Sequence, residues 1–176
     1  FFDIPVDHLY SKPVFVDNFK NMKIENPVVV SPDAGGVERA RAFAKVLDCG
    51  LAIVDKRRDK PGMSQVMTII GDVKDKVAIL VDDICDTAGT LANAAAALRE
   101  AGAAVIYAAV THPVLSGPAI QRISASPIEK IFVTDTIPLR QDALECGKIQ
   151  VVTISELLGK AIRRIHNSDS ISNLFI

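Results

Sequence analysis

The sequence predicts an α/β fold with a doubly wound, mostly parallel sheet and helices on both faces. Short apolar runs of strand length alternate along the chain with stretches in which apolar residues recur at helical spacing. Valine, isoleucine and alanine dominate an apolar content of 49%, and tryptophan is absent. Small and β-branched side chains of this kind suit parallel strands that are covered by helices on both sides.

The predicted strands are apolar runs bounded by turn residues or charges. They cover residues 27–30, 51–54, 66–70, 77–81, 104–110, 131–133 and 149–152. A polar stretch at 56–64 contains Pro61-Gly62 and predicts an exposed loop, and 71–76 predicts a charged turn. In a sheet of this class, ligands bind beyond the carboxyl ends of the strands. The segments that follow those strands are therefore the places to look for chemistry.

Three amphipathic helices are predicted from apolar stripes at helical spacing. The stripes are Val37, Ala40, Ala44 and Leu47; Leu91, Ala95, Leu98 and Ala101; and Leu158, Ala161, Ile162 and Ile165. Gly50 and Gly102 are predicted to stop the first two helices, and Thr153 with Glu156 has the capping-box pattern that opens the third. A short helix is also predicted over 117–123.

The length of 176 residues corresponds to one domain. Residues 27–166 are predicted to form that domain and residues 167–176 a C-terminal tail. The first residue is not Met, and residues 1–26 have neither the basic nor the apolar region of a signal peptide. We therefore interpret 1–26 as a segment that continues from a missing N-terminal domain.

Composition also excludes several classes of function. A net charge of −1 gives no sequence-independent affinity for nucleic acid, and no apolar run approaches the length that a membrane helix needs. Three cysteines lie far apart without a Cys-x-x-Cys pair, so neither a disulfide framework nor a zinc site is expected. Reduced thiols predict a cytoplasmic location, with no nucleic-acid or membrane partner.

The strongest chemical pattern follows the strand at 77–81. That strand leads into two adjacent acids, Asp82 and Asp83, and then into a turn that opens a helix: Asp86, Thr87, Ala88, Gly89 and Thr90. Backbone N–H groups at a helix start are unpaired, and the helix dipole favours an anion there, so the turn is predicted to bind a phosphate. The two acids would repel a phosphate, so they are expected to contact sugar hydroxyls or an adjacent Mg²⁺. The alternative is that Asp86 and Thr87 only cap the helix and that the acids form a solvated strand end.

Two further segments carry candidate residues. Asp33 follows the strand at 27–30, and Gly35 and Gly36 leave room for a close ligand, although residues 32–36 could also be only a tight turn. Lys56 and Arg58 lie before the Pro-Gly loop; taken alone, each has the character of a solvated surface charge.

The string VAILVDDICDTAGTL at 77–91 resembles the phosphoribosyl-pyrophosphate loop of type I phosphoribosyltransferases and of ribose-phosphate pyrophosphokinases. Further segments resemble the pyrophosphokinase family: VVVSPDAGGVERAR at 28–41, DKRR at 55–58, FFDIPVDHLY at 1–10, THPVLSG at 111–117 and VTDTIPL at 133–139. The resemblance implies a type I phosphoribosyltransferase-like fold, with 27–166 as the ribose-5-phosphate-binding domain of an enzyme that uses ATP and Mg²⁺.

The resemblance also implies a role for each candidate residue. The turn Asp86, Thr87, Ala88, Gly89, Thr90 would hold the 5-phosphate, and Asp82 and Asp83 would position the ribose hydroxyls. Asp33 would help to bind Mg²⁺, and Lys56 and Arg58 would stabilise the transferring diphosphoryl group. Most ATP contacts would come from a missing N-terminal half, so the isolated fragment is expected to be inactive. The family assembles into homo-oligomers, which is the expectation here.

Two alternatives remain open at this point. A phosphoribosyltransferase would share the segment 82–90 but would not need the DKRR loop, and it should carry a hood for the base that this sequence does not show. A non-catalytic regulatory subunit could keep the fold; the presence of Asp33, Lys56 and Arg58 argues against such a degenerate protein.

Overall fold

A computed structural model describes residues 2–57 and 66–174 of the chain. The helices are α1 Lys12–Asn21, α2 Val37–Leu47, α3 Gly89–Glu100, α4 Ala119–Ala125, α5 Gln141–Leu144 and α6 Ser155–His166, with a 3-10 turn at Ser172–Leu174. The strands are β1 Pro27–Ser31, β2 Gly50–Arg57, β3 Val66–Ile70, β4 Val77–Cys85, β5 Val105–Pro113, β6 Lys130–Thr134 and β7 Ile149–Val152.

The strands form one seven-stranded sheet in the order β3-β2-β1-β4-β5-β6-β7. Every neighbouring pair is parallel except β2 and β3, which are antiparallel. The chain builds outward from β1 in one direction and from β4 in the other, so β1 and β4 flank a topological switch point. The predicted doubly wound, mostly parallel sheet is confirmed.

Helices cover both faces of the sheet, and this explains why β4 is apolar on both sides. Ile79 and Val81 join the cluster under α1 and α2, whereas Ala78 and Leu80 join the cluster under α3 and α4. Successive strand residues point to opposite faces, so a strand buried on both faces must be apolar throughout. This two-sided burial fixes β4 at the centre of the fold.

Helix α1 was not predicted from the sequence. Phe15, Val16 and Phe19 are buried on the sheet, and the ring of Phe19 meets the edge of Phe132 at a centroid distance of 5.4 Å. Pro13 does not break the helix because it lies in the first turn, where the N–H groups have no partner within the helix. The short helix α5 was also missed, and it buries only Ala143.

Strand β4 is longer than predicted. It continues through Asp82 and Asp83 to Cys85, and the ladder with β5 includes the pairs Asp82 with Val110 and Cys85 with Pro113. The apolar run ends at Val81, but the hydrogen bonds of a ladder are made by the backbone and do not require apolar side chains. The two acids therefore lie within a strand rather than in the turn after it.

Two predicted helix boundaries were wrong. Helix α2 ends at Leu47 and its C-cap residue is Asp48, which is left-handed with a φ of 50°, and Gly50 belongs to β2. Thr153 and Glu156 form no capping box: the N-cap residue is Ile154, whose N–H donates to Asp135 Oδ1 at 2.9 Å. The hydroxyl of Thr153 donates to the other oxygen of Asp135, which lowers the pKa of that carboxyl. The carboxylate of Asp135, which follows β6, thus accepts a hydrogen bond from the N–H of the N-cap residue of α6.

Candidate functional site

The predicted site residues lie at the carboxyl edge of the sheet, around the switch point. Asp33 follows β1, Lys56 lies near the end of β2, and Asp82 and Asp83 lie near the end of β4. Asp33, Lys56 and Asp83 are exposed, and Asp82 is partly buried. Arg58 lies outside the described residues. The topology therefore brings to one edge of the sheet segments that are far apart in the sequence.

Arg39, in the first turn of α2, binds both acids of β4. Its Nη1 lies 3.0 Å from Asp82 Oδ1, and its Nη2 lies 2.5 Å from Asp83 Oδ2. Oδ1 of Asp82 also accepts the backbone N–H of Asp83 at 2.9 Å. A single guanidinium thus spans two carboxylates, as its planar fork allows.

The pKa of Asp82 is raised to about 6. Burial is the largest cause, because it removes water from the carboxylate. The backbone N–H of Asp83 lowers the pKa, the neighbouring Asp83 side chain raises it again, and the positive charge of Arg39 lowers it. The cost of burial therefore exceeds the stabilisation of the carboxylate by its ion pair, as is common for partly buried pairs.

This shift predicts a stability effect for Asp82→Asn in the ligand-free protein. Between pH 4 and pH 6 the folded state retains a proton that the unfolded state has lost, so the free energy of unfolding of the wild type falls as the pH rises. Asparagine has no charge to bury. We expect the variant to be more stable than the wild type by about 1 kcal/mol at pH 7.5, after allowance for solvent screening.

The measurement is thermal unfolding of both proteins at pH 4 and pH 7.5. The advantage of Asp82→Asn should be present at pH 7.5 and absent at pH 4, where the aspartic acid is itself neutral in the folded state. A variant that is less stable than the wild type at pH 7.5 would contradict the assignment of burial as the dominant cause.

The turn after β4 contains a residue in the left-handed conformation, and it leads into α3 without a side-chain cap. Ala88 is left-handed with a φ of 59° and is the N-cap of α3; within the described part of the chain, no side chain caps this helix. The interpretation of Asp86 and Thr87 as capping residues is therefore wrong. The first N–H groups of α3 receive no side-chain cap, as an anion-binding helix start requires.

The loop between β5 and α4 holds that turn in place. Ser116 donates its hydroxyl to the Asp86 carboxylate, and its N–H donates to the Asp86 carbonyl at 2.9 Å. Arg122, on α4, donates to the Thr87 carbonyl at 2.9 Å. The beginning of the turn is thus fixed by neighbouring residues, and the exposed side chains of Thr87 and Thr90 remain accessible to a ligand.

Gly89 is the first residue of α3 and has room for a methyl group. An added Cβ would lie 3.5 Å from Arg122 Nη1 and 3.8 Å from Thr87 Oγ1, which are ordinary contacts. Packing therefore does not require a glycine at position 89. If the turn binds phosphate, the reason for a glycine is the approach of the ligand.

Gly89→Ala is therefore expected to separate stability from binding. The free energy of unfolding should stay the same or rise by about 0.5 kcal/mol, because alanine restricts the unfolded chain. The affinity for ribose 5-phosphate should fall about tenfold, because the methyl group would crowd the N–H groups that face the phosphate.

Gly147→Ala is the matched control, since an added Cβ there meets nothing within 4 Å and the residue lies in another loop. Thermal unfolding and calorimetric titration of the two variants check the prediction. Equal affinities for ribose 5-phosphate in both variants would show that Gly89 does not border a ligand.

Cys85 is a packing residue. Its side chain is 2% exposed, and burial raises the pKa of the thiol to about 12. A protonated, buried thiol is a poor nucleophile. This confirms the interpretation of Cys85 as a small core residue rather than a reactive group beside the turn.

The turn that carries Asp33 is tightly packed. Asp33 Oδ1 accepts the N–H of Gly36 at 3.0 Å, and Ser31 Oγ donates to the Asp33 carbonyl at 2.6 Å. A Cβ on Gly36 would lie 2.8 Å from Ser31 Oγ and 3.3 Å from Arg39 Nη1. Atoms of the protein itself, from Ser31 and Arg39, therefore occupy the space that a side chain at position 36 would need.

A Mg²⁺ site can be tested against these residues. Asp33 offers an exposed carboxylate, the ligand type that Mg²⁺ prefers. The described residues contain no group of three acidic, histidine or cysteine side chains that could hold a metal. The residues present fit an ion that takes one carboxylate from this chain and its other oxygens from substrate phosphates and water.

Sequence reasoning missed the residues that support the acids and the turn. Arg39, Ser116 and Arg122 all lie in or beside segments that resemble the family, but none was given a role. For Arg39 a signal existed, because a cation three residues after the Gly35-Gly36 turn lies in the first turn of the helix that follows. For Ser116 and Arg122 no local pattern predicts the contact, since their partners are about thirty residues away.

The topology and the site define the chain as a doubly wound α/β domain of the type I phosphoribosyltransferase-like class. Residues 55–176 match the model of the protein family described as "Phosphoribosyl synthetase-associated domain". Because that match covers more than half of the chain, the chain belongs to this family.

Relatives and a solved structure agree with this assignment. The chain is 58% identical over 176 residues to a protein named ribose-phosphate pyrophosphokinase from Chlorobaculum tepidum, covering 99% of this chain and 54% of the relative. It is 53% identical to the protein of that name from a Marinomonas species, covering 99% of this chain and 56% of the relative. The crystal structure of phosphoribosylpyrophosphate synthetase from Mycobacterium smegmatis has a TM-score of 0.86 and 38% identity, covering 95% of this chain and 54% of that one. The chain thus spans about half the length of these relatives.

Among the residues that the structure describes, none of the helices combines the length and the apolar character that a membrane span requires.

Proposed function

We propose that this chain is the ribose-5-phosphate-binding part of a ribose-phosphate pyrophosphokinase. The reaction transfers the diphosphoryl group of ATP to the C1 hydroxyl of ribose 5-phosphate and gives phosphoribosyl pyrophosphate and AMP. The observation that carries the proposal is the succession of two acids and an uncapped helix start at the end of β4, next to the switch point of the sheet. Relatives named for this activity match almost the whole chain at more than 50% identity.

The turn from Asp86 to Thr90 binds the 5-phosphate in this proposal. The N–H groups at the start of α3 and the hydroxyls of Thr87 and Thr90 are the donors, and the helix dipole favours the anion. Asp82 and Asp83 accept hydrogen bonds from the ribose hydroxyls. The phosphate and the acids act on opposite ends of the sugar, so together they orient C1 toward the second substrate.

The chemical step requires stabilisation of charge rather than a covalent intermediate. The C1 oxygen forms a bond to the β-phosphorus of ATP and its proton passes to solvent, the bond from that phosphorus to the oxygen shared with the α-phosphorus breaks, and AMP leaves with the electron pair. Lys56, and Arg58 outside the described residues, stabilise the negative charge on the transferring group. Asp33 would contribute a ligand to Mg²⁺, which would neutralise charge on the ATP phosphates.

The remainder of the site comes from outside this chain. The relatives are nearly twice as long, and we propose that a preceding half supplies most contacts to ATP and a further metal ligand. The isolated chain is therefore expected to bind ribose 5-phosphate weakly and to turn over little or none of it. We also propose a homo-oligomer and a cytoplasmic location; the three free thiols support the latter.

The test is an assay of this chain joined to its proposed preceding half, referred to below as the full-length enzyme. With ATP, Mg²⁺ and ribose 5-phosphate, the proposal predicts AMP and phosphoribosyl pyrophosphate in equal amounts. Release of pyrophosphate from phosphoribosyl pyrophosphate and a purine or pyrimidine base would instead identify a phosphoribosyltransferase. No turnover by a folded, ligand-binding protein would favour a regulatory subunit.

A further inference from the structure

We propose that Arg39 is a positioning residue of the sugar site, which holds Asp82 and Asp83 together so that both carboxylates can accept hydroxyls of the same ribose. This inference rests on the proposed function and adds a residue to it. Arg39 is on α2 and the acids are on β4, more than forty positions later in the chain, so the contact joins the helix that follows β1 to β4, the strand on the other side of the switch point.

The two acidic side chains would not ordinarily lie side by side. Adjacent residues of a strand point to opposite faces, so Asp82 and Asp83 would ordinarily diverge. In this structure one guanidinium contacts both, through Nη1 at 3.0 Å and Nη2 at 2.5 Å. Arg39 therefore draws together two carboxylates that the strand alone would separate.

Electrostatics also favour this contact. Two adjacent carboxylates repel each other, and although Asp83 is 57% exposed, Asp82 is only 17% exposed, so water screens that repulsion only in part. The positive charge of Arg39 offsets the repulsion while using one oxygen of each acid, Oδ1 of Asp82 and Oδ2 of Asp83. With the guanidinium holding both carboxylates on one side, two acceptors lie close enough together to suit a vicinal diol.

The location of Arg39 also ties it to the proposed site. Arg39, Asp82 and Asp83 line a single cavity of about 280 Å³, together with Tyr10, Thr111 and His112. Arg39 Nη1 also lies against Gly36, in the turn that carries Asp33. The guanidinium thus connects the proposed metal-binding turn with the proposed sugar-binding acids, and it is 32% exposed rather than fully solvated.

The test uses Arg39→Met in the full-length enzyme, with Arg41→Met as the matched control. Arg41 lies on the same helix, is exposed and pairs with Glu38, so its loss measures the cost of removing an arginine from α2 alone. We expect Arg39→Met to raise the KM for ribose 5-phosphate about tenfold with kcat within about twofold of wild type, because hydroxyl contacts made equally in ground and transition states are lost. Arg41→Met should change neither constant.

A second arm asks whether Arg39 acts through the acids. In an Asp83→Asn background the effect of Arg39→Met on KM should shrink to less than about threefold, because the residue to be positioned has already lost its charge. A purely structural role would give the same effect in both backgrounds. If Arg39→Met does not fold, Arg39→Lys replaces it: lysine keeps the charge but cannot form a two-point contact, so an intermediate rise in KM is expected.

The outcomes separate this inference from the proposed function. Turnover of ribose 5-phosphate by the wild type supports the function whatever the variants do. An unchanged KM in both Arg39 variants, or an undiminished effect in the Asp83→Asn background, would overturn the role of Arg39 while leaving the function in place.

Discussion

Replacing Lys56 with alanine is expected to lower kcat of the full-length enzyme about 1,000-fold, because a cation that stabilises a transferring phosphoryl group typically has an effect of this size. Lys56 is exposed near the end of β2, the strand that neighbours β1 and its Asp33 turn. Negative charge on the diphosphoryl group spreads over its oxygens during transfer, and a fixed ammonium in this position can compensate for it.

The KM for ribose 5-phosphate should stay within about threefold in this variant, because the acids and the phosphate turn are on other elements. Lys45→Ala is the control, since Lys45 is also an exposed lysine but lies in the last turn of α2. Steady-state kinetics of the wild type, Lys56→Ala and Lys45→Ala test this prediction. Wild-type kcat in Lys56→Ala would remove its catalytic role and would strengthen the regulatory-subunit alternative.

The double substitution Asp82→Ala with Asp83→Ala is expected to weaken binding of ribose 5-phosphate about 100-fold or more. In the proposed site each carboxylate accepts hydrogen bonds from sugar hydroxyls, and hydrogen bonds to charged groups typically contribute about 1.5–3 kcal/mol each. The loss of both acids also leaves Arg39 without the two partners that it now holds.

Folding and binding must be measured on the same samples of the double variant. Because the pKa of Asp82 is already raised by burial, loss of its charge should not unfold the protein. Asp142→Ala serves as the control, since that exposed acid pairs with Arg140 in a different segment. A folded double variant with wild-type affinity would show that the acids do not contact the sugar.

Much of the fold could be predicted because its strands are buried on both faces. Val77–Val81 is apolar at every position, and only a central strand with helices above and below accounts for that pattern. The helices α3 and α6 were predicted from stripes that repeat over three turns. Helix α1 was not predicted, because its buried face contains only three residues and depends on contacts with distant rings such as Phe132.

The candidate site was predictable where its chemistry is local in sequence. Asp82, Asp83 and the turn at 86–90 lie within one strand-turn-helix unit, so their order alone predicts that a pair of acids lies beside a helix start. The supporting contacts were not predictable: the sequence indicates that Arg39 lies in the first turn of a helix, but not that it contacts β4, and nothing local indicates that Ser116 contacts Asp86. Such contacts depend on strand order, which no local pattern encodes.

The central claim is that the end of β4 and the start of α3 bind a sugar phosphate. Its most direct test is a calorimetric titration of the wild-type chain and of the full-length enzyme with ribose 5-phosphate and, separately, with ribose, both with Mg²⁺ present. The account predicts that ribose 5-phosphate binds, more weakly to the chain than to the full-length enzyme, and that ribose without its phosphate binds at least about 100-fold more weakly to either. Equal affinities for the two sugars, or no binding of ribose 5-phosphate by either folded protein, would contradict it.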